Sequence, residues 1–248
     1  MEGRYRYLGS IPRQGFSFHR QTDTLSPMSE MCYRCFRPKS NCLCPYIHEA
    51  DTGVKFVILM HPKEAFHQRT GTGRLAQLAL QESEIIIGID FSGNERLNKL
   101  LGDPQYYPVM LYPGVDAYTS DSPLLRQQVG KGRRLLVVVV DATWFLAAKM
   151  VRLSRNLQLL PKLSFNRGYH SEFTFKHEPA EYCLSTIESC YYLVKELQEG
   201  GIAKPCDVES MMGVFRRMVK HQLDSEAARR AIEGDGPQHP WKHDRDNC

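Results

Sequence analysis

The stretch Leu135-Leu136-Val137-Val138-Val139-Val140-Asp141 decides the fold class of this 248-residue chain. Six apolar residues without polar alternation are typical of a strand that is buried on both faces of a parallel sheet. The run is too short to cross a bilayer, which needs about 20 apolar residues. With 24% charged and 42% hydrophobic residues, the chain has the composition of a soluble globular protein. A membrane protein, a secreted mini-protein and a fully disordered chain are therefore excluded.

Apolar runs and helical patterns alternate on both sides of this stretch. We predict strands over residues 54–60, 84–89, 107–112 and 135–140. We predict helices over residues 74–81, 95–101 and 123–129, a helix through 147–149, a helix from a capping box at 185–188 to about 198, and a last helix over 208–222. Strands that alternate with helices predict an α/β fold, with a mostly parallel sheet and helices on both faces.

Composition divides the chain into four parts. We predict a loosely ordered arm over residues 1–30, a cysteine module over 31–48, the α/β domain over 49–223 and a charged, flexible tail over 224–248. Residues 1–30 contain several arginines but no apolar run, so we expect no secretory signal and a cytoplasmic location.

Four of the eight cysteines lie within thirteen residues, as Cys32-x-x-Cys35 and Cys42-x-Cys44. A Cys-x-x-Cys turn presents two sulfurs to one ion, and the short loop returns the second pair to it. A complete shell of four thiolates is typical of structural zinc sites, so we predict Zn²⁺ bound to all four. The Cys-x-Cys spacing is tighter than that of a zinc ribbon, and an iron–sulfur cluster therefore stays open. Free or redox-active thiols are the third alternative.

Basic residues concentrate between residues 131 and 176, which contain nine Lys and Arg but only two acidic residues. The whole chain carries a net charge of +4. Such a block favours an anionic partner such as nucleic acid. A solvated basic surface without a partner is the alternative.

Asp141 ends the apolar run, at the carboxyl end of the predicted strand. In open α/β sheets, ligands bind at this edge. Thr143 can cap the following helix, and Trp144 supplies a flat aromatic face. We select Asp141, Thr143 and Trp144 as candidate catalytic residues. The alternative is that Asp141 only caps the helix and Trp144 only packs.

The motif Asp141-Ala142-Thr143-Trp144, followed by Ala148-Lys149-Met150, resembles the signature of the DTW-domain family. Other pieces of the family pattern match in order over residues 30–220. These are the cysteine module with Arg34 and Arg37-Pro38, His61-Pro62-Lys63-Glu64, Thr70-Gly71-Thr72-Gly73, Leu111-Tyr112-Pro113-Gly114, Leu160-Pro161 and Leu184-Ser185-Thr186-Ile187-Glu188-Ser189. Two positions depart from the pattern, Gly71 where the family has Asn and Ser189 where it often has Ala.

The resemblance implies a tRNA-uridine aminocarboxypropyltransferase. Such an enzyme moves the 3-amino-3-carboxypropyl group of S-adenosylmethionine onto N3 of a uridine and releases methylthioadenosine. The resemblance also implies a SPOUT-like sheet with a C-terminal trefoil knot, which the hydrophobic pattern does not show. Residues 49–223 are then the DTW catalytic domain.

The same resemblance suggests roles for the candidate residues. Asp141 would orient the uridine N3 and accept its proton, and Trp144 would face the sulfonium or stack on a base. The loop at 111–114 would bind the adenosine part, and the helix opened by 184–186 would bind a carboxylate through its free N–H groups. The candidate cofactor-binding residues are Leu111, Tyr112, Pro113, Gly114, Leu184, Ser185 and Thr186. His61 and His67 can be ligands or bases, although structural histidines are commoner.

Basic residues near these motifs are candidates for binding tRNA phosphates. They are Arg69, Arg74, Arg133, Arg134, Lys149, Arg152 and Arg155. Two other functions compete with the leading one, a SPOUT-like RNA methyltransferase and a zinc-containing RNA-binding module without catalysis. The sequence predicts neither the modified uridine nor the oligomeric state.

Overall fold

The computed structural model describes residues 31–67, 71–173 and 183–233. In these ranges the strands are β1 Lys55–Met60, β2 Ser83–Ile87, β3 Tyr106–Leu111, β4 Arg134–Asp141 and β5 Lys162–Leu163. They form one sheet in the order β2-β1-β4-β3-β5, and all of its strand pairs are parallel. The predicted α/β fold with a mostly parallel sheet is confirmed, and the run quoted above is its central strand.

Eight helices connect and cover these strands within the described ranges. They are α1 Pro62–His67, α2 Gly73–Ala79, α3 Glu95–Leu101, α4 Pro123–Val129, α5 Trp144–Leu153, α6 Arg155–Gln158, α7 Thr186–Glu199 and α8 Glu209–Glu233. None of the helices in the described part of the chain is long and apolar enough to cross a membrane.

The sheet is buried on both faces, as the unbroken apolar run predicts. Along β1, Phe56 and Ile58 pack into one core, whereas Val57 and Leu59 pack into a second. Residues of α2, α4, α7 and α8 close the first core, and residues of α3, α5 and α6 close the second. Because side chains alternate along a strand, each of β1 to β4 contributes to both cores, and helices lie on both faces of the sheet.

The cysteine module is joined to the α/β domain through a shared core. Cys35 and Leu43 are buried in the same cluster as Leu80 and Met212. Two short 3₁₀ turns, Lys39–Asn41 and Cys44–Tyr46, shape the rest of the module. The module that we predicted over residues 31–48 therefore packs directly on the α/β domain.

The last helix is longer than predicted, because α8 continues to Glu233 through the segment that we assigned to a flexible tail. The apolar face that predicts the helix ends at Val219. Beyond it, ion pairs between successive turns support the helix, from Lys220 to Asp224 and from Glu226 to Arg229 and Arg230. Such pairs stabilise a solvent-exposed helix without any apolar pattern. The predicted arm over 1–30 and residues 234–248 lie outside the described residues, as do 174–182, and the knot stays a prediction.

Candidate functional site

Asp141 lies at the carboxyl edge of the sheet, where it ends β4 in register with Met60 at the end of β1. Its side chain is buried, with 6% of the residue exposed. The carboxylate Oδ1 accepts a hydrogen bond of 2.5 Å from the hydroxyl of Thr186. A predicted catalytic residue and a predicted cofactor-binding residue, separated by 45 positions along the chain, are thus in direct contact.

The structure places Asp141 outside the N-cap position of the following helix, which the alternative assigned to it. The N-cap position of α5 is Thr143, two residues further on. Thr143 has the extended backbone of an N-cap but makes no side-chain capping hydrogen bond within the described structure. Asp141 is instead the last residue of the strand, and its side chain points to the start of α7.

Gly73, the first residue of α2, packs against the Asp141 carboxylate. A Cβ at this position would lie 2.7 Å from Cγ of Asp141 and 3.0 Å from Cε of Met60. Only a residue without a side chain lets the helix begin this close to the carboxylate. The sequence reasoning placed Gly73 in a small-residue loop but missed this contact, although a glycine at the start of a helix is a signal of close approach.

His61 follows β1 at the same edge. Its backbone N–H donates to the Asp141 carbonyl at 3.0 Å, and its Nδ1 accepts from the Lys63 backbone N–H at 3.1 Å. In the neutral ring the proton is therefore on Nε2. Burial, together with the charges of Lys63 and Lys149, lowers the pKa of His61 below its usual value. His61 is thus held in its neutral form at the same edge of the sheet as Asp141.

Two aromatic rings at this edge bring the predicted cofactor loop to the Asp-Ala-Thr-Trp motif. Tyr112, just after β3, stacks on Trp144 with ring centroids 5.8 Å apart and an interplanar angle of 7°. The Lys162 ammonium lies 5.8 Å from the centroid of the Tyr112 ring. A Cβ at Gly114 would lie 2.7 Å from Cδ of Lys162, so the loop passes close to this lysine. Trp144 remains 52% exposed, which leaves part of its ring accessible to a ligand.

The start of α7 is fixed by Glu188, whose carboxylate is completely buried. The backbone N–H and the hydroxyl of Ser185 donate to it at 2.8 and 2.6 Å. The hydroxyl of Ser171 and the backbone N–H of Glu172 donate to it at 2.8 and 2.6 Å. The capping box is thus confirmed at its Glu188 end. The same carboxylate also binds residues 171–172 to the start of the helix, a contact that the local sequence pattern did not predict. The position of Thr186 against Asp141 depends on this anchor.

The structure separates the predicted RNA-binding residues into two groups. Lys149, Arg152 and Arg155 are exposed on α5 and α6, and α5 begins at the site. Arg133 and Arg134 lie instead at the amino end of β4, about 23 Å along the strand from Asp141 at about 3.3 Å per residue. There they line a cavity of about 510 Å³. We expected these two arginines near the site because they are close to Asp141 in sequence. The length of β4 separates them from it. Arg69 lies outside the described residues.

Arg74 is half-buried and connects three parts of the site. It donates to the Ala65 carbonyl at 3.1 Å, and its guanidinium carbon lies 4.1 Å from the centroid of the Phe36 ring in the cysteine module. Burial lowers the pKa of Arg74, and the charge of Asp141 opposes that change. The side chain predicted to bind a phosphate is therefore engaged within the protein.

The four cysteines of the module converge as the spacing predicts. Their sulfur atoms all lie within 4.8 Å of one another. Cys32 and Cys44 are 3.6 Å apart, and Cys35 and Cys42 are 3.8 Å apart, measured between Sγ atoms. Four thiolates at about 2.3 Å from one tetrahedral ion are about 3.8 Å apart. The cluster can therefore hold a metal ion, and it matches one ion better than a multi-iron cluster, which would hold the sulfurs further apart.

One thiol of the cluster is prepared for ionisation. The backbone N–H groups of Cys35 and Arg34 lower the pKa of Cys32 to about 6. Burial raises the pKa of Cys44. Because metals bind thiolates, the lowered pKa of Cys32 favours this residue as a metal ligand.

Comparison with known proteins gives a consistent result. A family model described as the DTW domain matches residues 29–223. The chain is 27% identical over 203 residues to the Drosophila melanogaster protein named tRNA-uridine aminocarboxypropyltransferase 2, a match that covers 79% of this chain and 76% of that protein. It is 26% identical over 196 residues to the Mus musculus protein of the same name, covering 77% of this chain and 63% of that protein.

A plant protein extends the same result. The chain is 24% identical over 224 residues to the Arabidopsis thaliana protein named tRNA-uridine aminocarboxypropyltransferase A, covering 78% of this chain and 81% of that protein. No solved structure gives a significant match.

Proposed function

The chain belongs to the DTW domain family, and on that premise we propose that it transfers the 3-amino-3-carboxypropyl group of S-adenosylmethionine to N3 of a uridine in tRNA. The observation that carries this proposal is the hydrogen bond between Thr186 and Asp141, which joins two family motifs at the ligand-binding edge of one parallel sheet. The names of the relatives support the same reaction.

The reaction defines what the protein must supply. Bound S-adenosylmethionine supplies a sulfonium whose γ-carbon takes the N3 electron pair, so that the N3–C bond forms, the C–S bond breaks and its electron pair stays on the sulfur of methylthioadenosine. The uridine N3 loses a proton, which a base has to accept. The γ-carbon rather than the methyl group must face N3, so selectivity depends on positioning.

Asp141 is the residue that we assign to the proton of N3. Its carboxylate offers about four lone-pair sites, and the Thr186 hydroxyl occupies one of them. The Thr186 hydroxyl and the Cα of Gly73 hold the carboxylate in one orientation. A base that is already oriented does not have to be ordered during the reaction, which lowers the barrier.

The stacked pair of Tyr112 and Trp144 is the surface that we assign to the cofactor, with the backbone of residues 111–114 against its adenosine part. The accessible part of the Trp144 ring suits a sulfonium, because the face of an indole attracts a cation. The start of α7, which Leu184 and Ser185 precede, suits the carboxylate of the methionine portion, since helix N-termini favour anions.

Release of the by-product tests the reaction and separates it from its alternatives. Purified protein with S-adenosylmethionine and unmodified tRNA is expected to release methylthioadenosine. Release of S-adenosylhomocysteine would indicate a methyltransferase instead. Absence of cofactor binding by calorimetry, with tRNA binding retained, would indicate an RNA-binding module without catalysis.

We propose that the ion of the cysteine module is Zn²⁺ in a structural role, because all four ligands come from the protein and the sulfur separations fit a closed tetrahedral shell. We also propose that the fold is SPOUT-like with a C-terminal trefoil knot, and that the protein acts in the cytoplasm. The parallel sheet supports the first of these two proposals, and an experimental structure that includes residues 174–182 tests it.

Removal of one ligand tests the zinc site. Cys35→Ser is expected to abolish zinc binding and to lower the melting temperature, because Cys35 is also part of the shared core. Elemental analysis of freshly purified protein should find one zinc per chain in the wild type and none in the variant. Cys206→Ser, a free cysteine outside the cluster, is the matched control and should retain zinc. Iron in place of zinc, or no metal in the wild type, would contradict the assignment.

Charge reversal on α5 and α6 tests the tRNA surface. Arg152→Glu with Arg155→Glu is expected to weaken tRNA binding and to make its salt dependence shallower, by about 0.9 in the log–log slope for each lost phosphate contact. Affinity for S-adenosylmethionine should not change. Arg126→Glu with Lys131→Glu, an equal charge reversal around the carboxyl end of α4, should have a smaller effect. Equal tRNA binding by both double variants would remove α5 and α6 from the interface.

A further inference from the structure

Phe36 has an unusual backbone conformation. In the described part of the chain it is the only residue other than glycine with a positive φ, at 56°. An aromatic residue is disfavoured in this left-handed region, which glycine and asparagine occupy most readily. Strained residues of this kind concentrate at functional sites, where the surrounding structure holds them in place.

The turn itself explains the backbone of Phe36 but not its side chain. Its N–H donates to the Cys32 carbonyl at 2.8 Å, and the N–H of Cys32 donates to the Arg37 carbonyl at 2.7 Å. This tight turn presents Cys32 and Cys35 to one ion. Glycine would make the same turn without strain. A phenylalanine at this position therefore strains the backbone of the turn. We infer that its ring has a role other than shaping the turn.

The ring projects from the module toward the site. Phe36 is 54% exposed, and its neighbour Tyr33 is 89% exposed. The Arg74 guanidinium lies over the Phe36 ring, and the same side chain is tied to α1 through the Ala65 carbonyl. Asp141 acts electrostatically on Arg74. One arginine thus connects the exposed ring to the surroundings of the catalytic carboxylate.

We propose that Phe36, backed by Arg74, is a stacking platform for an unpaired base of the RNA substrate beside the uridine that reacts. The proposal rests on the proposed function for the identity of the substrate. A flat ring supported by a guanidinium is the type of surface on which proteins stack single-stranded bases, and it is tolerant of sequence. Its nearness to Asp141, through Arg74, favours the RNA over an unrelated protein partner.

The charge of the module indicates that stacking, rather than phosphate attraction, supplies this affinity. Residues 31–48 contain three basic residues and no acidic ones. A zinc ion with four thiolates carries a charge of −2, which offsets most of that positive charge. Binding through Phe36 is therefore expected to respond little to salt, unlike binding through the arginines of α5 and α6.

Phe36→Gly tests the proposal, because the two roles of the residue predict opposite results. Removal of the strain should leave the melting temperature unchanged or raise it. The zinc content should stay the same. Loss of the ring should weaken binding of unfractionated tRNA by about 5- to 150-fold, the range that corresponds to one stacked base. The log–log salt dependence should stay parallel to that of the wild type. A fully paired RNA duplex of similar length should bind both proteins equally.

Two further variants complete the test. Phe36→Tyr keeps a ring and should keep wild-type affinity for tRNA. Tyr106→Leu removes a ring over which Arg134 lies at 5.8 Å, at the amino end of β3, and should also bind tRNA normally. Unchanged tRNA affinity in Phe36→Gly would overturn the proposal, as would an equal loss in Phe36→Tyr. Wild-type protein that binds tRNA through Phe36 but releases no methylthioadenosine would overturn the proposed function and leave this inference standing.

Discussion

Asp141→Asn is expected to lower the rate of methylthioadenosine release by about 10²–10⁴-fold, the usual contribution of a general base. Asparagine keeps the size of the side chain and can still accept the hydrogen bond from Thr186, but it cannot take a proton from N3. Binding of S-adenosylmethionine should change little, since we assign the carboxylate to the uridine. The rate is measured with saturating cofactor and tRNA, beside a melting curve of the same sample.

Asp90→Asn is the matched control for this variant. Asp90 is an exposed aspartate that follows β2 at the same edge of the sheet, and it accepts a hydrogen bond from the Ser92 backbone N–H within its own turn. Its replacement should leave the rate unchanged. A near-normal rate in Asp141→Asn would remove Asp141 from the chemical step and direct attention to Thr143, His61 and Glu64.

Gly73→Ala is the second substitution with a large expected effect. The new methyl group would overlap the Asp141 carboxylate, so either α2 or the carboxylate has to move. Overpacking of this kind costs about 1–3 kcal/mol of stability. Displacement of a catalytic group by about 1 Å can cost about 10²-fold in rate, and we expect a loss of that size.

Gly213→Ala supplies the comparison for Gly73→Ala. Gly213 lies within α8, and a Cβ there would meet no atom within 4 Å. The alanine should raise stability by about 0.5–1 kcal/mol, because glycine is unfavourable inside a helix. The rate should not change. If Gly73→Ala melts and reacts like Gly213→Ala, the carboxylate is not held by α2 in the way that the structure indicates.

The order of strands and helices follows from the sequence because the strands are buried on both faces. The run 135–140 is apolar at every position, and only a double-sided core demands this. The two-residue strand β5, the four-residue helix α6 and the six-residue helix α1 were missed, since elements this short show too little periodicity to detect. The end of α8 was missed for a different reason, because ion pairs such as Lys220–Asp224 carry no apolar signal.

The site was predictable in part, because ligand-binding residues of parallel sheets collect where the strands end. Asp141, Thr186 and the loop at 111–114 follow from that rule and from the family motifs. The contact of Gly73 with Asp141 joins elements that are remote in sequence, and local patterns do not encode such contacts. Arg133 was expected near the site and lies away from it, since neighbours in sequence can lie at opposite ends of a strand. The platform at Phe36 depends on a backbone angle that sequence alone does not reveal.

The central claim is the identity of the group transferred, and one labelling measurement tests it most directly. Unmodified tRNA is incubated with the protein and with S-adenosylmethionine labelled either in the carbons of the aminocarboxypropyl chain or in the methyl group. Nucleosides from the digested tRNA are then weighed by mass spectrometry. We predict a uridine that carries the chain label, gains the mass of an aminocarboxypropyl group and never carries the methyl label. A nucleoside that carries the methyl label, or a uridine that gains no label from either cofactor, would contradict the account.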